Sequence, residues 1–323
     1  MVRRRSGLAL LLVGALGCGS APERGAGEPP AAPASSREGR VTHPLRTRLV
    51  LLGTGTPNAD PDRSGPAVAV VVDGRAYLVD CGPGVVRRAA AATQRGVRAL
   101  APERLDRAFI THLHSDHTVG LPDLAFTPWV LGREAPLRLV GPPGLRAMAD
   151  HVAAAWAADV RVRLDGLEPA NATGHRIEVT EVDADGEVYR DALVRVRALS
   201  VPHGSWDHAY AYRFDGPDRS VVISGDTAPS DALMALCDGC DVLVHEAYSA
   251  EAFATREPAW QRYHRAFHTS AVDLGRLAKR ARPGLLVLYH HLLWGTSPEA
   301  LVAEVREGGF EGEVRFGRDL DVY

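Results

Sequence analysis

The sequence predicts an α/β domain in which β-sheets are covered by helices. Apolar runs bounded by turn residues recur from residue 48 to the end of the chain. Hairpin-like pairs of runs come first in each half, and strands alternating with helical patterns follow. Asp73-Gly74, between the β-rich runs AVAVVV and RAYLVD, is a strong hairpin signal. Together these patterns indicate sheets with helices packed over them in one domain.

Individual elements follow from the periodicity of the apolar residues. Strands are predicted at residues 48–52, 67–72, 75–80, 107–112, 137–141, 192–199, 209–214, 220–226, 241–246, 285–290 and 313–317. Helices are predicted at residues 84–95, 144–157, 230–237, 270–281 and 298–307. Ser270 and Asp273 form a capping-box-like pair that opens the fourth helix.

Composition sets limits on the function. The chain has 323 residues, of which 46% are hydrophobic, enough for one large core or two small ones. The net charge is −3, Lys279 is the only lysine, and the arginines are scattered. Because there is no basic stripe that could follow a phosphate backbone, we expect no nucleic-acid partner.

The N-terminal segment predicts export. Residues 1–17 combine a basic start, MVRRR, with the apolar run LALLLVGALG, which is too short to span a bilayer and is typical of a signal peptide. Gly17-Cys18 resembles a bacterial lipobox, so Cys18 is predicted to carry lipid and anchor the protein to a membrane of the cell envelope. The alternative is an ordinary secretory signal with an incidental cysteine. Residues 18–44 are predicted to form a disordered linker, followed by the folded domain at 45–323.

The three other cysteines give weaker indications of function. Cys237 and Cys240 form a lone CxxC, which favours buried thiols or a short-range disulfide over a zinc knuckle or a redox site. Cys81 is predicted to be a buried thiol near the functional site.

Metal-ligand residues gather in one short stretch and at the ends of predicted strands. Residues 111–117, THLHSDH, contain three of the thirteen histidines. Ligand-type side chains also close later strands, namely His203, Asp226, His245, Glu246 and His290. Strand ends at one edge of a sheet are where a rigid scaffold presents functional groups. The sequence therefore predicts a metal site at this edge.

The spacing within THLHSDH suits two metals. His112 and His114 are two residues apart, so they point the same way on an extended segment and can share one metal. Asp116 and His117 turn toward a second metal as the next helix begins. Imidazole and carboxylate ligands without thiolate suit zinc or a similar first-row metal. Paired metals can clamp the attacking and the leaving oxygen of a displacement.

THLHSDH resembles the signature of the metallo-β-lactamase superfamily, and the resemblance covers nearly all of residues 46–323. Other motifs are similar to the branch that holds ribonuclease Z, cyclic-nucleotide phosphodiesterases and arylsulfatase-type hydrolases. They are LLGTGTP (51–57), YLVDCGPG (77–84), SGDT (224–227), VHEAY (244–248), HTS (268–270) and LVLYHH (286–291). The resemblance implies an αββα four-layer sandwich and a hydrolase domain at residues 45–323.

The resemblance also implies roles for single residues around two Zn²⁺ ions. One ion would be bound by His112, His114 and His203, the second by Asp116, His117 and His290, with Asp226 bridging the two. The same resemblance favours His290 over His291, because the last ligand of the branch closes a strand. Glu246 and His268 match a supporting pair in which the histidine assists the leaving group, and Asp116 would orient the nucleophile. Trp206 and Trp294 follow ligands closely, and are predicted either to form an aromatic wall for a substrate or to pack in the core.

The expected function is that of an exported di-zinc hydrolase that cleaves phosphodiesters or aryl sulfates. Its expected partners are a small-molecule ester as substrate and, as a candidate assembly, a second copy of the chain in a homodimer. The alternatives are a lactone or acyl-ester hydrolase, a ribonuclease Z-like 3′-tRNA endonuclease, and a non-enzymatic metal-binding lipoprotein. The loop PDRSGPA (61–67) departs from ribonuclease Z, and no lysine- or arginine-rich arm is evident. Transfer-RNA processing is therefore not expected from the sequence.

The lipobox predicts where the protein is found. Wild-type protein should fractionate with membranes, and Cys18→Ser should release it or block its maturation, because no lipid can then be attached. Fractionation and intact-mass measurement check this. Wild-type protein that is soluble in the cytoplasm with Met1 retained would contradict it.

Overall fold

The computed structural model describes residues 45–323, the range predicted for the folded domain. The predicted signal peptide at 1–17, Cys18 and the rest of the linker lie outside the described residues. Within residues 45–323, no helix combines the length and the apolar character needed to cross a membrane.

Two mixed β-sheets form the centre of the domain. The first has six strands in sequential order: β1 (Thr47–Gly53), β2 (Ala67–Val72), β3 (Arg75–Val79), β4 (Arg107–Phe109), β5 (Leu137–Gly141) and β6 (Ile177–Glu181). The second sheet has seven strands, and each again lies next to its neighbour in sequence: β7 (Gly186–Arg190), β8 (Arg195–Ser200), β9 (Tyr210–Asp215), β10 (Ser220–Ile223), β11 (Val242–Tyr248), β12 (Leu285–Leu292) and β13 (Glu313–Phe316).

Ten α-helices occur in residues 45–323. They are α1 (Val85–Gln94), α2 (Ser115–Thr118), α3 (Leu121–Val130), α4 (Leu145–Ala155), α5 (Ala157–Asp165), α6 (Asp231–Cys237), α7 (Ala250–Ala254), α8 (Pro258–Phe267), α9 (Ala271–Ala281) and α10 (Pro298–Glu307). Ser270 caps α9 as predicted, because its side chain accepts a hydrogen bond from the amide of Asp273.

The alternation of side chains along the strands builds the layers. In β1, Leu49 and Leu51 join the apolar core between the two sheets, whereas Val50 and Leu52 join the core under α1, α3 and α4. A third core lies between the second sheet and α6, α9 and α10. Helices thus cover the outer face of each sheet, and the predicted αββα sandwich is confirmed.

Several elements differ from the sequence prediction. β6 and β7 were not predicted because their residues are largely exposed and polar, as is common at sheet edges. The helices α2, α3, α5, α7 and α8 were also missed. Strand β4 ends at Phe109, so His112 lies in the following loop and not at the strand end. Cys237 and Cys240 form a disulfide, as the short-range alternative predicted, so they offer no thiolates for a zinc knuckle.

A buried arginine donates a hydrogen bond to a backbone carbonyl of α3 that lacks a helical donor. Pro128 lies inside this helix and has no N–H, so the carbonyl of Leu124 lacks its usual helical donor. Arg133, only 2% exposed, donates to that carbonyl at 2.9 Å and to the carbonyls of Leu105 and Gly174 at 2.7 and 2.8 Å. One guanidinium therefore ties α3 to two neighbouring loops.

Replacing this arginine should cost much stability. Arg133→Met leaves several buried carbonyls without donors, and we expect the free energy of unfolding to fall by at least about 2 kcal/mol. Denaturant titration measures the change. Arg138→Met is the matched control, because the exposed pair that Arg138 forms with Glu178 should contribute less than about 1 kcal/mol. Equal, small losses in both variants would contradict this role of Arg133.

Candidate metal centre

The loops that follow three strands bring the first four ligands together. His112 Nε2 lies 3.0 Å from His114 Nδ1, and His203 Nε2 lies 3.1 Å from the same atom. His203 reaches this position from the loop after β8, and Asp226 from the loop after β10. All four ligand atoms lie within 4.8 Å of one another. Nitrogen separations near 3 Å are those of adjacent ligands on one tetrahedral zinc.

A second cluster adjoins the first. Asp116 and His117 lie on α2, and His290 lies on β12. Asp116 Oδ2 is 3.6 Å from His117 Nε2 and 3.3 Å from His290 Nε2. Asp226 Oδ2 is 3.4 Å from His117 Nε2 and 3.3 Å from His290 Nε2, so this carboxylate lies between the two clusters. The structure thus brings together all seven residues predicted as ligands.

A β-bulge separates the roles of His290 and His291. In the pairing of β11 with β12, Glu246 lies opposite Tyr289 and Ala247 opposite His291, so His290 is the extra residue. Its φ of 44° lies in the left-handed region, and its ring points toward the carboxylates of the site. The ring of His291 stacks instead on Phe316, with centroids 3.8 Å apart. Chain spacing could not predict which of two adjacent histidines the bulge selects.

The donor atoms fit a divalent cation. His117 Nε2 and Asp226 Oδ1 are buried and have no hydrogen-bond partner in the described part of the chain. A buried polar atom without a partner is costly, and a bound cation would satisfy both. Burial holds the pKa of His112 well below its usual value, so its lone pair is free to bind metal. Burial also acts on Asp226, but His290 and His117 outweigh it and hold the pKa of this carboxyl well below its usual range.

Two supporting residues were not assigned from the sequence. Asp80 Oδ2 lies 2.8 Å from His117 Nδ1, and Asp80 Oδ1 accepts a hydrogen bond from the amide of Thr111 at 2.8 Å. The hydroxyl of Thr111 also lies 3.0 Å from His112 Nδ1. Asp80 directly follows β3 and has a φ of 62°. A carboxylate at a strand end was the available signal, but the sequence did not show which histidine it would orient.

Glu246 and His268 lie beside the shared carboxylate. His268 Nδ1 is 3.3 Å from Glu246 Oε1 and 3.9 Å from Asp226 Oδ2. Burial lowers the pKa of His268 to about 4. Burial, together with the neighbouring Asp226, holds the pKa of Glu246 well above its usual value. The amide of Thr269 donates a hydrogen bond to Glu246 Oε1 at 2.9 Å, which helps to hold this carboxyl beside His268.

Other residues singled out in the sequence have simpler positions. His245 is buried, with Nδ1 2.7 Å from the carbonyl of Glu246. The indole N–H of Trp206 lies 2.7 Å from His114 Nε2, so Trp206 contacts a predicted ligand directly. Trp294 lines a cleft next to the metal-ligand clusters. Cys81 is buried, and its thiol lies 3.9 Å from the carbonyl of Thr118.

Known proteins share this sequence pattern and this fold. The family described as "Beta-lactamase superfamily domain" matches residues 75–291. The chain belongs to this superfamily. A relative from Mycobacterium bovis (strain BCG / Pasteur 1173P2), named Ribonuclease Z, is 35% identical over 278 residues, which cover 84% of this chain and 96% of the relative. The predicted superfamily is thus confirmed.

Solved structures agree with this assignment at the level of the fold. The metallo-β-lactamase-fold protein YhfI from Bacillus subtilis has a TM-score of 0.65 at 19% identity, covering 86% of this chain and 98% of that chain. The short form of human tRNase Z has a TM-score of 0.61 at 24% identity, covering 85% and 98%. This member of the β-lactamase superfamily is a metallohydrolase of that fold.

The relatives correct one sequence-based expectation. We expected a small-molecule ester as substrate and no nucleic acid, but relatives that match over most of both chains are named Ribonuclease Z. That expectation was based on the net charge of −3 and on the absence of a lysine- or arginine-rich arm. It was wrong because whole-chain charge does not describe the groups inside one cleft.

Asp80 should control the binding of the second metal. Asp80→Ala removes the carboxylate that orients His117, and we expect metal affinity to fall by roughly 10- to 100-fold. Metal content after dialysis against graded chelator measures this. Asp191→Ala is a matched control, because Asp191 accepts hydrogen bonds from Tyr77 and Tyr189 away from the ligands. The control should lower the melting temperature and leave metal affinity unchanged; an Asp80→Ala protein that retains wild-type affinity would refute the role.

Proposed function

We propose that this chain is a divalent-metal-dependent phosphodiesterase that cleaves RNA, of the ribonuclease Z type. The observation that carries the proposal is the pair of ligand clusters sharing Asp226, with His268 beside them, in a chain that is 35% identical to a ribonuclease Z over 96% of that relative's length. The ligand clusters and His268 are the groups that metal-assisted ester cleavage requires. The name of the relative indicates that the ester is a phosphodiester of RNA. Zinc is the proposed metal, because the ligand atoms are imidazole nitrogen and carboxylate oxygen.

In this proposal the metal site and the side chains have separate tasks. His112, His114, His203, Asp116, His117, His290 and Asp226 would hold two divalent ions, which would supply Lewis acidity toward the phosphoryl oxygens and toward a water molecule. Asp116, whose Oδ2 lies among the ligand nitrogens, accepts a hydrogen bond from the attacking water and orients it.

His268 and Glu246 are placed to deliver a proton to the leaving oxygen. Burial, together with the neighbouring Asp226, holds the pKa of Glu246 well above its usual value, which favours the protonated carboxyl. Glu246 Oε1 lies 3.3 Å from His268 Nδ1, and in the proposed reaction the ring donates its proton from Nε2. The ring lines the cleft, so the Nε2 hydrogen is available to the oxygen that gains charge as the bond breaks.

We also propose that the protein is exported and lipid-anchored, as the N-terminal pattern predicts. The disulfide between Cys237 and Cys240 supports this, since disulfides persist in oxidising compartments. In that location the RNA it meets would be RNA outside the cytoplasm, and not precursor tRNA during synthesis. The proposed chemistry is the same in either compartment.

An RNA cleavage assay tests the proposed function. Zinc-loaded protein should cleave a structured RNA with a single-stranded 3′ extension and leave a 3′-hydroxyl, with chelator abolishing and zinc restoring the activity. Aryl sulfate and lactone substrates serve as comparison. Turnover of either of these without cleavage of RNA would overturn the proposal.

The role of His268 predicts a selective loss of rate. His268→Ala should lower kcat on RNA by roughly 10²- to 10⁴-fold, because one well-placed proton donor is lost. Metal content and melting temperature should stay near wild type. His151→Ala, at an exposed position on α4, is the control and should keep wild-type kcat. If metal is lost along with activity, His268 is a ligand; if kcat persists, it is structural.

A further inference from the structure

A cleft of about 340 Å³ opens beside the predicted metal ligands. The lining of this cleft includes ligand-cluster residues, among them Asp116, His268 and His290. It also includes five residues of the α7–α8 region and the loop after β12, which we call the aromatic wall: Arg256, Trp260, Tyr263, His264 and Trp294. No task in the proposed cleavage chemistry is assigned to the aromatic wall.

The wall is an ordered arrangement of rings. On α8, Trp260, Tyr263 and His264 are spaced three and four residues apart and so share one helix face. The rings of Trp260 and His264 stack at 23° with centroids 5.7 Å apart. His264 also lies 4.6 Å from the ring of Trp294. A substrate would therefore meet rings that already hold one another in place.

Trp260 keeps a large free surface despite these contacts. It is 50% exposed, whereas Trp129 in the core is 2% exposed. A tryptophan that lines a cleft and stays half exposed has a ring face available to a flat ligand. Its neighbour His264 is 6% exposed, and its Nδ1 is buried without a hydrogen-bond partner in residues 45–323. The wall thus offers both a stacking face and an unused polar atom.

Arg256 adds an unpaired positive charge to the wall. Its guanidinium carbon lies 5.1 Å above the ring centre of Trp294, a cation–π contact. Within residues 45–323, no carboxylate oxygen lies within 4.0 Å of this guanidinium, and its Nε has no hydrogen-bond partner. An arginine in a cleft without a counter-ion is suited to bind an anion, and a phosphate matches its planar set of donors.

Contacts with the body of the domain fix the wall in position. The carboxylate of Glu304, on α10, accepts hydrogen bonds from the hydroxyl of Ser249 at 2.8 Å and the amide of Ala250 at 2.7 Å, and so caps α7. Gln261 on α8 donates to the carbonyl of Arg256 at 2.9 Å. Glu304 thus fixes the start of α7, and Gln261 joins α8 to the loop that carries Arg256.

We propose that the aromatic wall is a nucleotide subsite, in which the base next to the scissile phosphate stacks on Trp260 and Arg256 pairs with the adjoining phosphate. This inference rests on the proposed function and names how the substrate is held. Stacking on an aromatic ring accepts any base, because every base has a π-face. The subsite therefore recognises a nucleotide but not a particular sequence.

Kinetics on two RNA substrates test the subsite. The first is the intact RNA, and the second has an abasic ribose next to the cleavage position. Trp260→Ala should raise KM by roughly 10-fold on the intact RNA and by little on the abasic RNA, because stacking contributes only when a base is present. Trp260→Phe should keep most of the wild-type KM. Trp156→Ala is the matched control, since this 41% exposed tryptophan stacks on Phe126 and does not line the cleft.

Two results would overturn the subsite while leaving the proposed function intact. One is a Trp260→Ala protein with wild-type KM on intact RNA. The other is an equal loss on intact and abasic RNA, since the ring would then act without the base. Metal content and melting temperature are measured on each variant, so that a misfolded protein is recognised.

Binding measurements separate the subsite from the cleavage reaction. Adenosine 5′-monophosphate should bind more weakly to Trp260→Ala than to wild type, and ribose 5-phosphate should bind both equally. Arg256→Gln should weaken binding of both ligands, because it removes the cation that holds the phosphate. If wild-type protein cleaves no RNA, the proposed function fails and these binding results alone decide the subsite. Equal binding of adenosine 5′-monophosphate to wild type and Trp260→Ala would then overturn it.

Discussion

The arrangement of the ligand clusters depends on one buried carboxylate, that of Asp226, and on its contacts with four histidines. It is 2% exposed, and its Oδ2 lies within 4.0 Å of nitrogens of four histidines: His112, His117, His268 and His290. Burying a carboxylate is expensive unless charge or metal compensates it. The four rings come from three separate parts of the chain, namely the stretch 111–117, His268 and His290, so the cost of this group is offset only when these parts of the domain are folded together.

The fold meets this requirement through small backbone irregularities. His290 points toward Asp226 because a β-bulge with a positive φ makes it the extra residue of β12. Asp80 also has a positive φ and turns its carboxylate under His117. Both positions carry backbone strain that surrounding structure must support. The two sheets therefore form the core and also orient the site residues, through the bulge in β12 and the turn after β3.

Sequence reasoning reached the ligands more easily than their surroundings. THLHSDH concentrates its donors within seven residues, so spacing alone indicated which side chains could share a metal. Asp80 and α8 were missed for a different reason. Their significance depends on contacts with residues far away in the chain, such as His117 and Trp294, and no local pattern encodes those contacts. The expectation of no nucleic acid failed because it relied on the net charge and on the missing basic arm, which do not describe the groups inside one cleft.

If Asp226 is shared by two metal-binding clusters, the number of metal ions that the protein retains must depend on this carboxylate. Purified wild type, His112→Ala and Asp226→Ala are loaded with zinc, dialysed and analysed for metal and protein. The account predicts about two ions per chain in wild type, about one after His112→Ala, and weakened retention of both after Asp226→Ala. Two firmly held ions in Asp226→Ala, or full activity of wild type with a single ion, would contradict it.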